Sequence, residues 1–157
     1  MQNLLNLCSR IKLFAQIYSA QEIKSIIRSQ KLSVVFIDFL GLMKAEKFEG
    51  SYERTSEIIS DLKKIAKEEN TLIILAHQLS RQAEDGSIPV RLNHARDSGA
   101  VEELSDFVLG IWRPEISSEN ELARDKLFMH LLKNKRGETR KIECLFNKKT
   151  GEIREII

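Results

Sequence analysis

Three short runs of unbroken apolar residues most constrain what this chain can fold into: "VVFI" ahead of Asp38, "TLIILA" (71–76) and "DFVLGIW" (106–112). Strands that lack polar alternation belong to parallel sheets covered on both faces. The segments between them have helical periodicity. "SAQEIKSIIRSQ" opens with Ser19 and Glu22 at capping-box spacing, and Ile23, Ile26 and Ile27 form one face. In "YERTSEIISDLKKIAKEEN", Ile58, Ile59, Leu62, Ile65 and Ala66 share a face opposite the charges, the signature of an amphipathic helix. Strand–helix alternation of this kind predicts an α/β fold with a mostly parallel central sheet flanked by helices. "KLFMHLLKN" (126–134), "RKIECLFN" (140–147) and "EIREI" (152–156) add three strands, with Gly151 in the last turn. These closing strands read as a meander, pairing antiparallel at one edge. Residues 3–11 fit a short helix, "LFAQIY" a strand, 80–98 a polar loop, and "SGAVEELS" a short helix.

With 157 residues the chain is the size of one domain, long enough for a single continuous core. The 42% hydrophobic and 31% charged content describes a soluble globular protein. A net charge of +2 is too small to argue for nucleic acid, but the charge is unevenly placed. Residues 133–149 carry seven Lys or Arg against two Glu, whereas 97–125 lean acidic. No apolar run approaches the roughly 18 residues of a membrane helix, and the first residues lack a secretory pattern. Cys8 and Cys144 lie far apart without metal-type spacing. Two inert thiols in a reducing, cytoplasmic setting are expected.

Asp38 stands at the carboxyl end of the first strand, where open α/β sheets bind their ligands. A carboxylate in that place holds Mg²⁺ through water in nucleotide-binding folds; it also serves to cap a turn. Gln78 ends the second strand and is placed to orient a water or sense a phosphate, or to bind loop backbone. His77 beside it reads as structural. "ARDSG" (95–99) reads as a polar loop before a helix, with Ser98 as a possible N-cap.

Four blocks in order, "VVFIDFLGLM", "ISDLKKIAKEENTLIILAHQLSR", "ARDSGAVEELSDFVLGIWR" and "LLKNKRGETRKIECLFN", resemble the C-terminal part of the ATPase domain of DnaB-type replicative helicases. The last block, with "FNKKTGEI", is also similar to the helicase half of phage and mitochondrial primase-helicases. The resemblance implies a RecA-like fold, ATP and Mg²⁺ as cofactors, single-stranded DNA as partner, and a hexameric ring that works with other replication proteins. It implies that Asp38 is the Walker B aspartate, binding Mg²⁺ and thereby ATP. Gln78 would link the γ-phosphate to DNA, and Arg96, Asp97 and Gly99 would contact the DNA backbone. Lys133 would begin a Lys-x-Arg finger reaching the neighbouring subunit's ATP. Here the third position is Lys135 and the arginine follows at Arg136, so the finger falls on one of these two. A solvated basic turn is the plain alternative.

None of the seven glycines precedes a lysine, so the phosphate-binding loop G-x-x-x-x-G-K-S/T is absent from this sequence. The 37 residues ahead of Asp38 are too few for the elements the family places there. Residues 1–157 are therefore read as a single partial RecA-like ATPase domain lacking its Walker A portion. Three readings follow. The first is the C-terminal part of an ATP-driven DNA helicase, inactive as an isolated chain. The second is a P-loop-less paralogue docking on or regulating a helicase ring. The third, a fragment of a recombination or clock-type ATPase, matches "ARDSGAVEELSD" less well.

Overall fold

Ser19 starts the first helix as its sequence predicts. The Glu22 N–H donates to its hydroxyl (3.3 Å), and its own N–H donates to the Glu22 carboxylate (2.7 Å). That reciprocal pair satisfies two otherwise orphaned donors. Helix α1 (Ala20–Gln30) ends where Lys31 turns left-handed at φ 52°. Strand β1 (Val34–Ile37), helix α2 (Ser51–Glu68), strand β2 (Leu72–Leu75) and helix α3 (Ser98–Leu104) follow. The chain then runs through β3 (Phe107–Trp112), β4 (Lys126–Asn134), β5 (Arg140–Asn147) and β6 (Glu152–Glu155). The computed structural model describes residues 10–45, 50–80, 88–95, 97–114, 123 and 125–156. The helix expected over 3–11 lies almost wholly outside them. "LFAQIY" forms no strand, and Ser19 alone makes an isolated bridge, to Lys44.

Among the described residues the strands form two hydrogen-bonded sheets. β1 and β2 pair in parallel, Val34 beside Leu72 through Ile37 beside Leu75. β3 to β6 form an antiparallel meander. The closing strands are antiparallel as expected, but β3, read as a third buried strand of the parallel sheet, pairs with β4 instead. A residue inserted in β4 shifts the β3–β4 register between Val108 and Leu109, a β-bulge that re-aims the side chains beyond it.

One core holds the helices to both sheets. Ile23 and Ile27 of α1, Ile58, Ile59, Leu62 and Ile65 of α2, and Ala100 and Val101 of α3 are all buried. Val35, Ile37, Ile73, Leu75 and Val108 meet them from the strands. Ile58 and Ile65 are each 1% exposed, a burial that stabilises by about 1.5–3 kcal/mol per side chain. The opposite strand faces depart from the expectation of a doubly covered sheet. Phe36 is 65% exposed and its neighbours Val34, Leu72 and Ile74 are also open. All three helices pack on the other side, so the apolar residues that made these strands read as two-faced have no cover among the described residues.

The apolar residues after Asp38 resolve in the same way. Leu40 and Met43 turn into the core through a short 3₁₀ turn (Leu40–Leu42), while Leu42 is exposed. The Arg54 guanidinium of α2 donates to the Gly41 and Met43 carbonyls (3.3 and 2.5 Å) and holds the turn in place.

Candidate functional site

The parallel pair ends in two polar side chains. Ala76 donates to the Ile37 carbonyl (2.9 Å) and accepts from the Leu40 N–H (3.0 Å), so the ladder continues past both strands. Asp38 therefore sits beside Ala76, with Gln78 two residues further along the neighbouring strand. Both side chains are exposed at this edge. His77, the residue before Gln78, is half-buried.

A single exposed carboxylate suits Mg²⁺, an ion that keeps several waters and takes few protein ligands when phosphates supply the rest. Among the described residues no group of three or more His, Cys, Asp or Glu converges to form a cage. A lone carboxylate at this edge could hold such an ion only together with ligands from outside the protein, such as water or a phosphate.

The segment after Gln78 is tied to the loop ahead of α3. Leu79 and Ala95 form an antiparallel bridge, and the Ser80 N–H donates to the His94 carbonyl (2.7 Å). Arg96 lies outside the described residues. Asp97 takes the left-handed conformation (φ 55°) and is the N-terminal cap position of α3. Ser98, expected as a possible cap, is instead the first helical residue. The Asp97 carboxylate accepts from the Thr55 hydroxyl of α2 (3.1 Å), and Thr55 is only 4% exposed. Asp97 thus anchors the loop. Gly99 lies against the same helix, where an added Cβ would come 3.2 Å from the Tyr52 hydroxyl.

The other end of α3 is held by lysines. Lys63 of α2 donates to the Leu104 carbonyl (2.5 Å) and to Asp106 (3.1 Å). Lys133, re-aimed by the β4 bulge, donates to the Glu102 carbonyl and, more weakly, to Glu103 (3.4 Å). Cations at the last carbonyls of a helix satisfy orphan acceptors and complement the dipole. Lys135 pairs with Asp106 (3.4 Å). The hydrogen bond from Lys63, with Lys135 adding to it, holds the Asp106 carboxyl below the usual carboxylate range despite the opposing desolvation. Lys135 itself is lowered from the ordinary lysine value, first by its side-chain hydrogen bond with the neighbouring Lys63 and then by desolvation, while Asp106 opposes. Arg136 is exposed in the β4–β5 turn, where its backbone N–H donates to Asn134 Oδ1 (2.9 Å).

The structure thus brings Asp38 and Gln78 to one strand edge, and joins the 97–99 loop and the 133–136 turn through α3. Sequence reading missed Thr55, Lys63 and Asp106, the residues that make these joints. Their partners are tens of residues away, so no local pattern marks them. A cleft of about 510 Å³, lined in part by Val90, Arg91, Glu102, His130 and Lys141, includes none of the candidate residues. Cys144 is buried, and that burial pushes its thiol above its ordinary value, consistent with an inert cysteine.

Comparison with known proteins points the same way. The family description "DnaB-like helicase C terminal domain" matches residues 9–155. The replicative DNA helicase DnaB of Mycoplasma genitalium is 35% identical over 141 residues, covering 84% of this chain and 30% of that protein. A probable plasmid replicative DNA helicase of Chlamydia trachomatis is 34% identical over 109 residues, covering 68% of this chain and 24% of its own length. The chain therefore spans less than a third of either relative. Among solved structures, a DnaB-like replicative helicase studied with primase superposes with a TM-score of 0.82 at 26% identity, covering 91% of this chain and 36% of its own. A second solved structure, an ATPase domain, superposes with a TM-score of 0.80 at 25% identity, covering 89% of this chain and 52% of its own. With its α/β strand edge, its bridged loop and its basic hairpin all falling within the matched residues, the chain belongs to the DnaB-like helicase C-terminal domain family.

Proposed function

We propose that this chain is the metal-, DNA- and finger-bearing part of a RecA-like ATPase domain whose complete form is an ATP-hydrolysing, ring-forming replicative helicase on single-stranded DNA. The observation that carries the reading is the parallel pairing of β1 and β2, which brings Asp38 and Gln78 to the same carboxyl-end edge, the place where such sheets take nucleotides. Asp38 would hold the Mg²⁺ of ATP, which when bound would supply charge neutralisation at the phosphates. Gln78 reports the nucleotide's state to the 96–99 loop through the Leu79–Ala95 bridge. In that loop Arg96 supplies charge to DNA phosphates. Gly99 allows close approach, and Asp97 keeps the loop on α2.

Lys133 and Lys135 engage acceptors in their own chain, which supports Arg136 as the group that reaches a neighbouring subunit's nucleotide. A guanidinium supplied across an interface stabilises charge developing on the transferred phosphoryl group. Lys133 and Lys135 position the turn that carries it. Without a phosphate-binding loop the chain alone lacks the backbone N–H cradle and lysine that hold a triphosphate, and it does not hydrolyse ATP.

The test is a chimera in which this chain replaces the matched segment of the Mycoplasma genitalium helicase. DNA-stimulated ATP hydrolysis is expected. Asp38→Ala abolishes hydrolysis, and Gln78→Ala leaves ATP binding intact while removing stimulation by DNA. A folded chimera whose hydrolysis survives Asp38→Ala sinks the reading.

A further inference from the structure

Two side chains at the start of α2 meet the segment that opens α3. Tyr52 and Thr55 stand at i and i+3, on one face of their helix. Thr55, 4% exposed, donates to the Asp97 carboxylate (3.1 Å). Tyr52 lies against Gly99, where an added Cβ would come 3.2 Å from the Tyr52 hydroxyl, 3.4 Å from Cε2 and 3.8 Å from Cζ. These three atoms are neighbours along one side of the phenol ring, so its edge, not its face, meets the loop. Tyr52 is nevertheless 51% exposed. Thr55 is a buried anchor, whereas Tyr52 keeps aromatic surface open beside an exposed glycine.

A lone exposed apolar side chain is ordinary on a protein surface. Tyr52 differs in how it is held. It projects from the first turn of an eighteen-residue helix, and the missing side chain at Gly99 gives its edge a seat. An aromatic ring also loses little conformational entropy when it takes a ligand. The roles given to the loop itself concern the strand's backbone. Arg96 supplies charge to phosphates, Gly99 allows close approach, and Asp97 is bonded to Thr55. Single strands are held by pairing such backbone contacts with aromatic side chains on which the bases stack. The open ring beside Gly99 supplies that second element.

We infer that Tyr52 is a stacking platform for an unpaired nucleobase of the strand whose phosphates the 96–99 loop holds. The inference rests on the proposed DNA role of that loop and adds a contact made to bases. Every base presents a π-face, so the contact is indifferent to sequence, as a group acting on a moving strand requires.

The test is titration of the chain with labelled oligo-dT and with an abasic strand of the same length, read by anisotropy at low salt. Tyr52→Leu keeps an apolar side chain beside Gly99 but removes the ring. It should weaken binding of oligo-dT about tenfold, leaving abasic binding and the urea midpoint unchanged. Tyr52→Phe should bind both strands as the parent does. The fluorescence of Tyr52→Trp should be quenched by oligo-dT and not by the abasic strand. Arg96→Ala, which removes a phosphate contact, should weaken both strands alike and lower the salt dependence. A Tyr52→Leu chain that binds oligo-dT like the parent overturns the inference. So does one weakened equally on both strands, because the ring then only supports the loop. If Arg96→Ala weakens binding and Tyr52→Leu does not, the loop reading stands and the platform alone falls. A chain that binds neither strand refutes both.

Discussion

Lys133→Met separates the two roles open to this side chain. In the structure its ammonium caps the C-terminus of α3, a helix of seven residues whose last carbonyls are shared between Lys133 and Lys63. A hydrogen bond from a charged donor contributes roughly 1.5–3 kcal/mol, and a cation at a helix C-terminus adds about 0.3–1 kcal/mol. The contact to Glu103 at 3.4 Å adds little. Solvent partly replaces the lost donor at this half-buried site, so a net loss of about 1–3 kcal/mol is expected. The assay is urea unfolding of the chain, with hydrogen exchange read at the α3 amides. A lower midpoint with unchanged slope and faster α3 exchange is expected. In a double-mutant cycle Lys63→Met should couple to Lys133→Met by about 0.5 kcal/mol or more, because both grip one helix end. A loss under about 0.5 kcal/mol with unchanged α3 exchange refutes the capping role and returns Lys133 to the set of trans-acting groups.

Other consequences are more routine. Ile65→Ala should cost about 2–5 kcal/mol by emptying the centre of the core, read as a drop in the urea midpoint; a loss below about 1 kcal/mol contradicts the packing. Because the folded Asp106 carboxyl lies below its unfolded value near 3.9, its contribution is present above that value and lost as pH falls through the folded pKa. Asp106→Asn should lower stability at pH 7 by about 0.2–1 kcal/mol, as its exposure requires, and show a shallower loss below about pH 4 than the parent. Identical acid profiles contradict the ion-pair assignment. In a Cys8→Ser background, Cys144 should react with maleimide only as fast as the fold opens, so about 2 M urea accelerates labelling; labelling at the rate of a free thiol in buffer refutes its burial.

The elements visible in the sequence were those written in local chemistry. Ser19 and Glu22 form the reciprocal cap that their spacing predicts, and Ile58 to Ile65 bury the face that their period predicts. Strands β4 and β5 occupy the expected residues, and Gly151 lies in the turn expected between β5 and β6. The edge formed by Asp38 and Gln78 was visible too, since a strand's apolar run states where it ends. What stayed hidden depends on contacts between distant residues. Continuous apolar strands say that two faces are made for burial, but not whether this chain supplies the cover. "ARDSG" does not show that Asp97 faces Thr55, because that partner lies 42 residues away. Nor does "LLKNKRGE" show the bulge that turns Lys133 toward α3, since a bulge arises from pairing with β3 rather than from β4 alone. Nor does it show that Lys135 pairs with Asp106, a residue of another strand's approach.

The central claim is that one chain provides both halves of a shared site: Asp38 for its own nucleotide and Arg136 for its neighbour's. Mixing two inactive chimeras, Asp38→Ala and Arg136→Ala, tests it most directly. Each alone should bind DNA and form rings but not hydrolyse ATP. In randomly mixed rings about a quarter of the head-to-tail interfaces pair an intact Asp38 with an intact Arg136, and DNA-stimulated hydrolysis should return in that proportion. Mixed rings that stay inactive, or an Arg136→Ala chimera that is fully active alone, would contradict the account.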